Sequence, residues 1–143
     1  MLKTIPPVLT PDLLWVIAAM GHGDRLAIVN ANYPAWSRHE RVIALPGVSL
    51  VSALTAILQL MPLDDIGDTP AHRMVPDGRP DDITEVHRDA QQVLDIAAQR
   101  EVAMQAVERT PFLELAGTAF AVVATTDNRP FGCFLITKGV VRT

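Results

Sequence analysis

Six short apolar runs limit what this chain can fold into. Leu26–Val29, Val42–Leu45, Arg73–Val75, Val102–Val107, Ala119–Thr125 and Phe131–Thr137 are each no longer than seven residues. Runs of this length read as strands, and those with little polar alternation suit strands covered on both faces. The segments between them carry helical signals. Thr10 can cap a helix, Pro11 suits its first position and Asp12 favours the positive end of the dipole; Leu13, Leu14, Ile17 and Met20 follow at helical spacing, and Gly21 is expected to close it. Further helices are expected from Ser49 to Leu60, from Asp81-Asp82 to Gln99 and from Thr110-Pro111 to Gly117. Helices between short strands predict an α/β domain: one mostly parallel sheet with helices on both faces. Asp127-Asn128-Arg129-Pro130 is a turn-rich joint, so the last two runs also fit a hairpin. Asn30 to Arg38 reads as a polar, aromatic loop, and Pro62 to Pro80 as an acidic loop inside the same domain.

With 143 residues, 49% of them hydrophobic and 20% charged, the chain can bury one core, and residues 1–143 read as a single domain. The net charge of −4, without a Lys/Arg cluster, gives no basis for binding nucleic acid or an anionic membrane. A single cysteine, Cys133, provides neither a disulfide framework nor a zinc site and fits a reducing, cytoplasmic setting. Prolines 6, 7 and 11 interrupt any leader-like segment, and no run nears the roughly 18 apolar residues of a membrane span.

Three groups of residues carry more information. The first is Met20-Gly21-His22-Gly23-Asp24, followed by an apolar strand and Asn30-Ala31-Asn32-Tyr33-Pro34-Ala35. The second is Glu108-Arg109 with Phe112 and then Ala119 to Thr125. The third is Phe131-Gly132-Cys133, ending in Lys138-Gly139-Val140. In this order, and with Met1-Leu2-Lys3-Thr4-Ile5 ahead of them, they resemble the RbsD/FucU family of sugar mutarotases, most closely its L-fucose mutarotase branch. The resemblance implies an isomerase that interconverts the α and β anomers of a free monosaccharide, with no metal or organic cofactor. It also implies a ring-shaped homo-oligomer, possibly a decamer, with sites near subunit contacts. By position, His22 would be the proton donor, and Asn30, Arg109, Phe131, Gly132 and Cys133 would meet the sugar. The family commonly has aspartate at the position of Asn30 and Tyr-Gly-Asn where Phe131-Gly132-Cys133 stand.

Mutarotation needs a base at the anomeric hydroxyl and an acid at the ring oxygen, and histidine gives and takes protons near neutral pH. Asp24 is positioned to fix the His22 tautomer, as a carboxylate beside an imidazole does. Gly-His-Gly-Asp by itself is equally what a helix cap and turn would use. Asn30 can still bond hydroxyls but carries no proton, and Phe131 and Cys133 lack the polarity expected there. A non-catalytic sugar-binding protein on the same scaffold is therefore the competing reading. Arg109 offers a rigid fork of donors, or a plain surface ion pair with Glu108 or another carboxylate. Tyr33 and Trp36 are candidates for stacking on a sugar or for packing. Asp64, Asp65 and Asp68 read as a solvated loop, and His87 as a solvated or capping residue on the long helix. A strand from Leu26 to Asn30 spans roughly 13–17 Å. His22 and Asn30 therefore share one pocket only if loops fold back or a neighbouring subunit supplies one of them.

Overall fold

The computed structural model describes residues 1–67 and 69–142. In chain order its elements are α1 (Pro11–Ala19), β1 (Arg25–Val29), α2 (Ala35–Arg38), β2 (Val42–Leu45), α3 (Leu50–Leu60), β3 (Ala71–Val75), α4 (Glu85–Ala98), β4 (Met104–Glu108), α5 (Arg109–Ala116), β5 (Ala121–Thr125) and β6 (Phe134–Thr137). The strands form one six-stranded sheet in the order β2-β5-β1-β6-β3-β4. β1 and β2 run parallel to β5, and β3 runs parallel to β4. β6 is antiparallel to both of its neighbours, β1 and β3. The expected α/β architecture is present, but the last two strands are not a paired hairpin. β1 lies between them, because its fully buried Leu26–Val29 segment takes the centre of the sheet.

Alternation along β1 separates two cores. Leu26 and Ile28 pack with residues of α1, α3 and α4, including Leu13, Ile57 and Leu94. Ala27 and Val29 face the other way, toward Ala35 of α2 and Phe112, Leu113 and Ala116 of α5. Both faces are thus covered, and so the central strands carry little polarity.

The Thr10 hydroxyl accepts from the Leu13 amide and Ser49 from the Ser52 amide, as their sequence positions predict. Other boundaries differ from expectation. α1 ends at Ala19 with Met20 extended, and it is Gly23, not Gly21, that takes a positive φ, +87°. Lys138 covers the helix end, donating from Nζ to the carbonyls of Ile17 and Met20. The long helix begins at Glu85 rather than Asp81: Asp82 N–H closes a turn on Arg79, and Thr84 is the cap. His87 completes that cap through Nδ1, which accepts from the Thr84 amide at 3.2 Å. The residue is 1% exposed, so it caps but is not solvated. The Asn30 to Arg38 loop contains the single-turn helix α2. The last strand starts at Phe134, because Phe131 has φ +59° and breaks the extended run. Asp68, the last of the acidic run, lies outside the described residues.

Candidate active site

The C-terminal ends of β1, β3 and β4 meet the N-terminal end of β6 at one edge of the sheet, where ligands of α/β proteins commonly bind. A cleft of ≈ 220 Å³ opens there, and its walls include Asn30, Tyr33, Met74, Arg109, Phe131 and Cys133. Residues far apart in sequence are therefore neighbours: Asn30, Arg109, Phe131 and Cys133 are expected sugar contacts, and Tyr33 is the aromatic candidate for stacking. Gly132 lies beneath the wall. A Cβ there would stand 2.5 Å from Leu50 Cδ1 and 3.1 Å from the Arg129 carbonyl, so a larger residue would have to displace the Leu50 side chain.

Asn30 is 7% exposed and its amide is heavily engaged. Its Nδ2 donates to the Arg129 carbonyl at 3.0 Å, while its Oδ1 accepts from the Asn32 amide and from the Cys133 thiol, the sulfur lying at 3.6 Å. This ties the β1 end to the Asp127–Cys133 loop. The loop is anchored outward by Arg129, which pairs with Asp127 at 3.0 Å and Asp89 at 2.8 Å. Those hydrogen bonds, Asp127's first, raise the guanidinium pKa above its ordinary value. Phe131 adopts the left-handed region at φ +59°, which costs a residue other than glycine of order 1–3 kcal/mol.

The chemistry within this cleft is limited. Burial pushes the Cys133 thiol up to about 12, so it is a neutral group and not a nucleophile. Burial likewise pushes the Tyr33 phenol up to about 12; its hydroxyl is 2.8 Å from His39 Nε2, and its ring packs edge-on against Phe112. Arg109, the first residue of α5, is exposed and forms no ion pair with Glu108, so its fork is open to a ligand. Trp36 is 73% exposed and does not line the cleft.

His22 lies elsewhere. It precedes β1, whereas Asn30 follows it, so the strand separates them by about 16 Å at ~3.3 Å per residue. Its expected partner, Asp24, is turned to its own loop and accepts from the Gly21 amide at 2.8 Å. The carboxylate that reaches His22 is Asp64, with Oδ1 3.1 Å from Nε2. Asp64 is 7% exposed, not the solvated residue that the acidic run suggests. Burial pushes its pKa up, but hydrogen bonds from the Ile66 amide, His22 and the Gly67 amide outweigh that and hold it below the usual carboxylate range. An anionic Asp64 requires the hydrogen on Nε2 of neutral His22, which leaves the Nδ1 lone pair free. The side chain of His22 is 45% exposed, so that nitrogen can be reached from solvent. Nothing in the local sequence signals the His22–Asp64 pair, because 42 residues separate the partners. Among the described residues, no three His, Cys, Asp or Glu side chains are grouped to hold a metal ion.

Residues 3–141 match the model of the RbsD / FucU transport protein family. The chain belongs to the RbsD/FucU family. Among its relatives, the fucose mutarotase of Danio rerio is 41% identical, over 98% of this chain and 94% of that protein. A putative sugar binding protein of known structure superposes with a TM-score of 0.95 at 39% identity, covering 99% of this chain and 97% of the other. The fucose mutarotase of Streptococcus pneumoniae, solved in complex with L-fucose, superposes with a TM-score of 0.90 at 34% identity, over 99% of this chain and all of that one. As an RbsD/FucU member, the chain keeps its family's fold over its whole described length. No helix among the described residues is long and apolar enough to cross a membrane.

Proposed function

We propose that this protein is a sugar mutarotase that interconverts the α and β anomers of a free monosaccharide, L-fucose or a close relative. The observation that carries the reading is the cleft itself. It draws Asn30, Arg109, Phe131 and Cys133 together in a chain whose relatives at 34–41% identity include fucose mutarotases. Its ≈ 220 Å³ lies below the roughly 300–1,000 Å³ of drug-sized pockets and suits a single sugar ring.

In this reading Arg109 and the remaining Asn30 N–H bond sugar hydroxyls, while Phe131, Met74 and Cys133 cover the apolar C–H face. The cleft has no group of its own that exchanges protons near neutral pH: the thiol and the phenol both sit at about 12. His22 supplies that chemistry from a neighbouring subunit in a homo-oligomer. Its Nδ1 takes the proton of the anomeric hydroxyl as the bond from the anomeric carbon to the ring oxygen breaks. The imidazolium returns that proton to the ring oxygen, so His22 is base and donor in turn, and the open aldehyde turns and recloses on its other face. Asp64 stabilises the imidazolium while it exists, as a carboxylate behind a catalytic histidine does. A cytoplasmic setting agrees with the reduced, buried Cys133.

The second reading, a sugar-binding protein without catalysis, is favoured by one observation: the carbonyl of Asn30 is already occupied by Asn32 and Cys133. Saturation of the α-anomeric proton of L-fucose, read at the β signal by NMR, separates the two. A mutarotase transfers saturation in proportion to protein concentration, and His22→Ala abolishes the transfer. Absence of transfer for L-fucose, D-ribose, D-galactose and L-rhamnose, with sugar binding still measurable, would establish the binding protein instead.

A further inference from the structure

We propose that His87 is a positioning residue for the cleft: by holding the Phe131 carbonyl from the opposite layer, it fixes the left-handed backbone that presents residues 131–133 to the sugar. The inference rests on the sugar-handling function proposed above.

His87 is on α4, which packs on the sheet face away from α5. Its ring is buried edge-on against Phe134, the first residue of β6, with centroids 5.8 Å apart. Both nitrogens are in use. Nδ1 accepts from the Thr84 amide at 3.2 Å, so in the neutral ring the hydrogen sits on Nε2, and Nε2 donates to the Phe131 carbonyl at 2.9 Å. The helix cap therefore selects the tautomer that the loop requires.

The loop has need of such a hold. It is pinned around Phe131 by two backbone bonds: the Gly132 amide donates to the Arg129 carbonyl at 3.3 Å, and the Cys133 carbonyl accepts from the Met74 amide at 3.0 Å. Between these pins Phe131 sits at φ +59°, a region that a bulky side chain avoids unless its surroundings impose it. The imidazole is the partner of the carbonyl that joins Phe131 to Gly132. Without it the Phe131–Gly132 peptide is held through its N–H by the longer 3.3 Å bond to Arg129. Capping alone does not call for histidine, since glutamate and glutamine fill the same third helical position in a capping box. The second nitrogen accounts for it.

Three variants separate positioning from stability. His87→Asn keeps an acceptor for the Thr84 amide but cannot reach Phe131. His87→Gln extends an amide N–H toward the Phe131 carbonyl. Thr84→Ala removes a cap acceptor and leaves the ring alone. In the anomer-exchange assay, His87→Asn raises KM about tenfold, as loss of one hydrogen bond at a binding wall should, with a smaller change in kcat. His87→Gln restores most of the loss, and Thr84→Ala lowers Tm with KM unchanged. An unchanged KM in His87→Asn overturns the proposal, as does a KM that follows Tm through all three variants. If His87→Asn does not fold, the crystal structure of His87→Gln decides. An amide on Phe131 with KM retained supports the assignment; an amide turned away, with φ and KM of wild type, overturns it. If the wild-type protein exchanges no anomers, the functional reading has failed. The conformation of Phe131 in the variant structures still tests whether His87 holds it.

Discussion

Asp64 and Arg109 show how a single residue's surroundings decide its use. The Asp64 carboxylate has its oxygens engaged by two amides and His22, so it serves as an orienting group and not as a base. Asp64→Asn should leave the loop's shape largely intact but release the His22 tautomer, lowering anomer exchange about tenfold or more with little change in sugar affinity. A kcat unchanged by this substitution would remove Asp64 from the mechanism. Arg109→Lys should instead act on KM, because a point charge cannot replace the planar fork; about tenfold is expected for loss of a charged hydrogen bond. Histidines set the acid limit. Burial holds His72, His87 and His39 below the ordinary value near 6.5. The unfolded chain therefore binds protons that the folded chain refuses. Their contribution is fully present above pH ~6.5 and is lost as the pH falls through that value toward the depressed folded pKa values. Urea denaturation between pH 7 and pH 5 should show stability falling with pH, and His87→Gln should flatten part of that slope. A slope unchanged by the substitution would mean that His87 does not contribute to it.

The decisive elements are short joints between strands and helices. Gly132 carries the passage from the Asp127–Cys133 loop into β6, under Leu50 of α3. Gly132→Ala should cost about 1–3 kcal/mol, the usual range for overpacking, and should disturb the cleft wall together with the core. Phe112, fully buried on α5 beneath Tyr33, secures the other wall. Phe112→Ala should lower stability by about 3–5 kcal/mol, as measured by denaturant unfolding. Thr10 and Ser49 were legible as helix starts because a cap is a contact between residues three apart. The start at Thr84 was not, since Asp81-Asp82 has the same composition as a helix N-terminus but is taken up by the turn that Arg79 closes. α2 is not legible in the sequence, because a single turn after Pro34 is too short to show periodicity.

For the whole molecule, the two ends of β1 point to opposite sides, with the cleft at one and His22 at the other. In the homo-oligomer that the proposed function calls for, a head-to-tail ring would bring the His22 end of each subunit to the cleft of the next, since heterologous contacts form rings where the rotation closes. His22→Ala and Arg109→Ala should each be inactive as homogeneous oligomers. Co-refolded in equal amounts, they should regain about one quarter of wild-type activity, because random mixing pairs an intact His22 with an intact Arg109 at that frequency in a heterologous ring. No recovery in verified mixed oligomers would place both residues in the same subunit's site.

By itself the sequence determined the class of fold and the family, and it named four of the residues that line the cleft, Asn30, Arg109, Phe131 and Cys133. Strand length, helix caps and the ordered motifs are local properties, and neighbouring residues state them directly. Only the tertiary structure decided that β1 separates β5 from β6, that Asp64 rather than Asp24 backs His22, and that His87 on one layer supports Phe131 at the cleft. Each of these joins residues forty or more positions apart through a sheet whose order no local pattern records. Burial and chain crossing, which belong to the folded whole, set them.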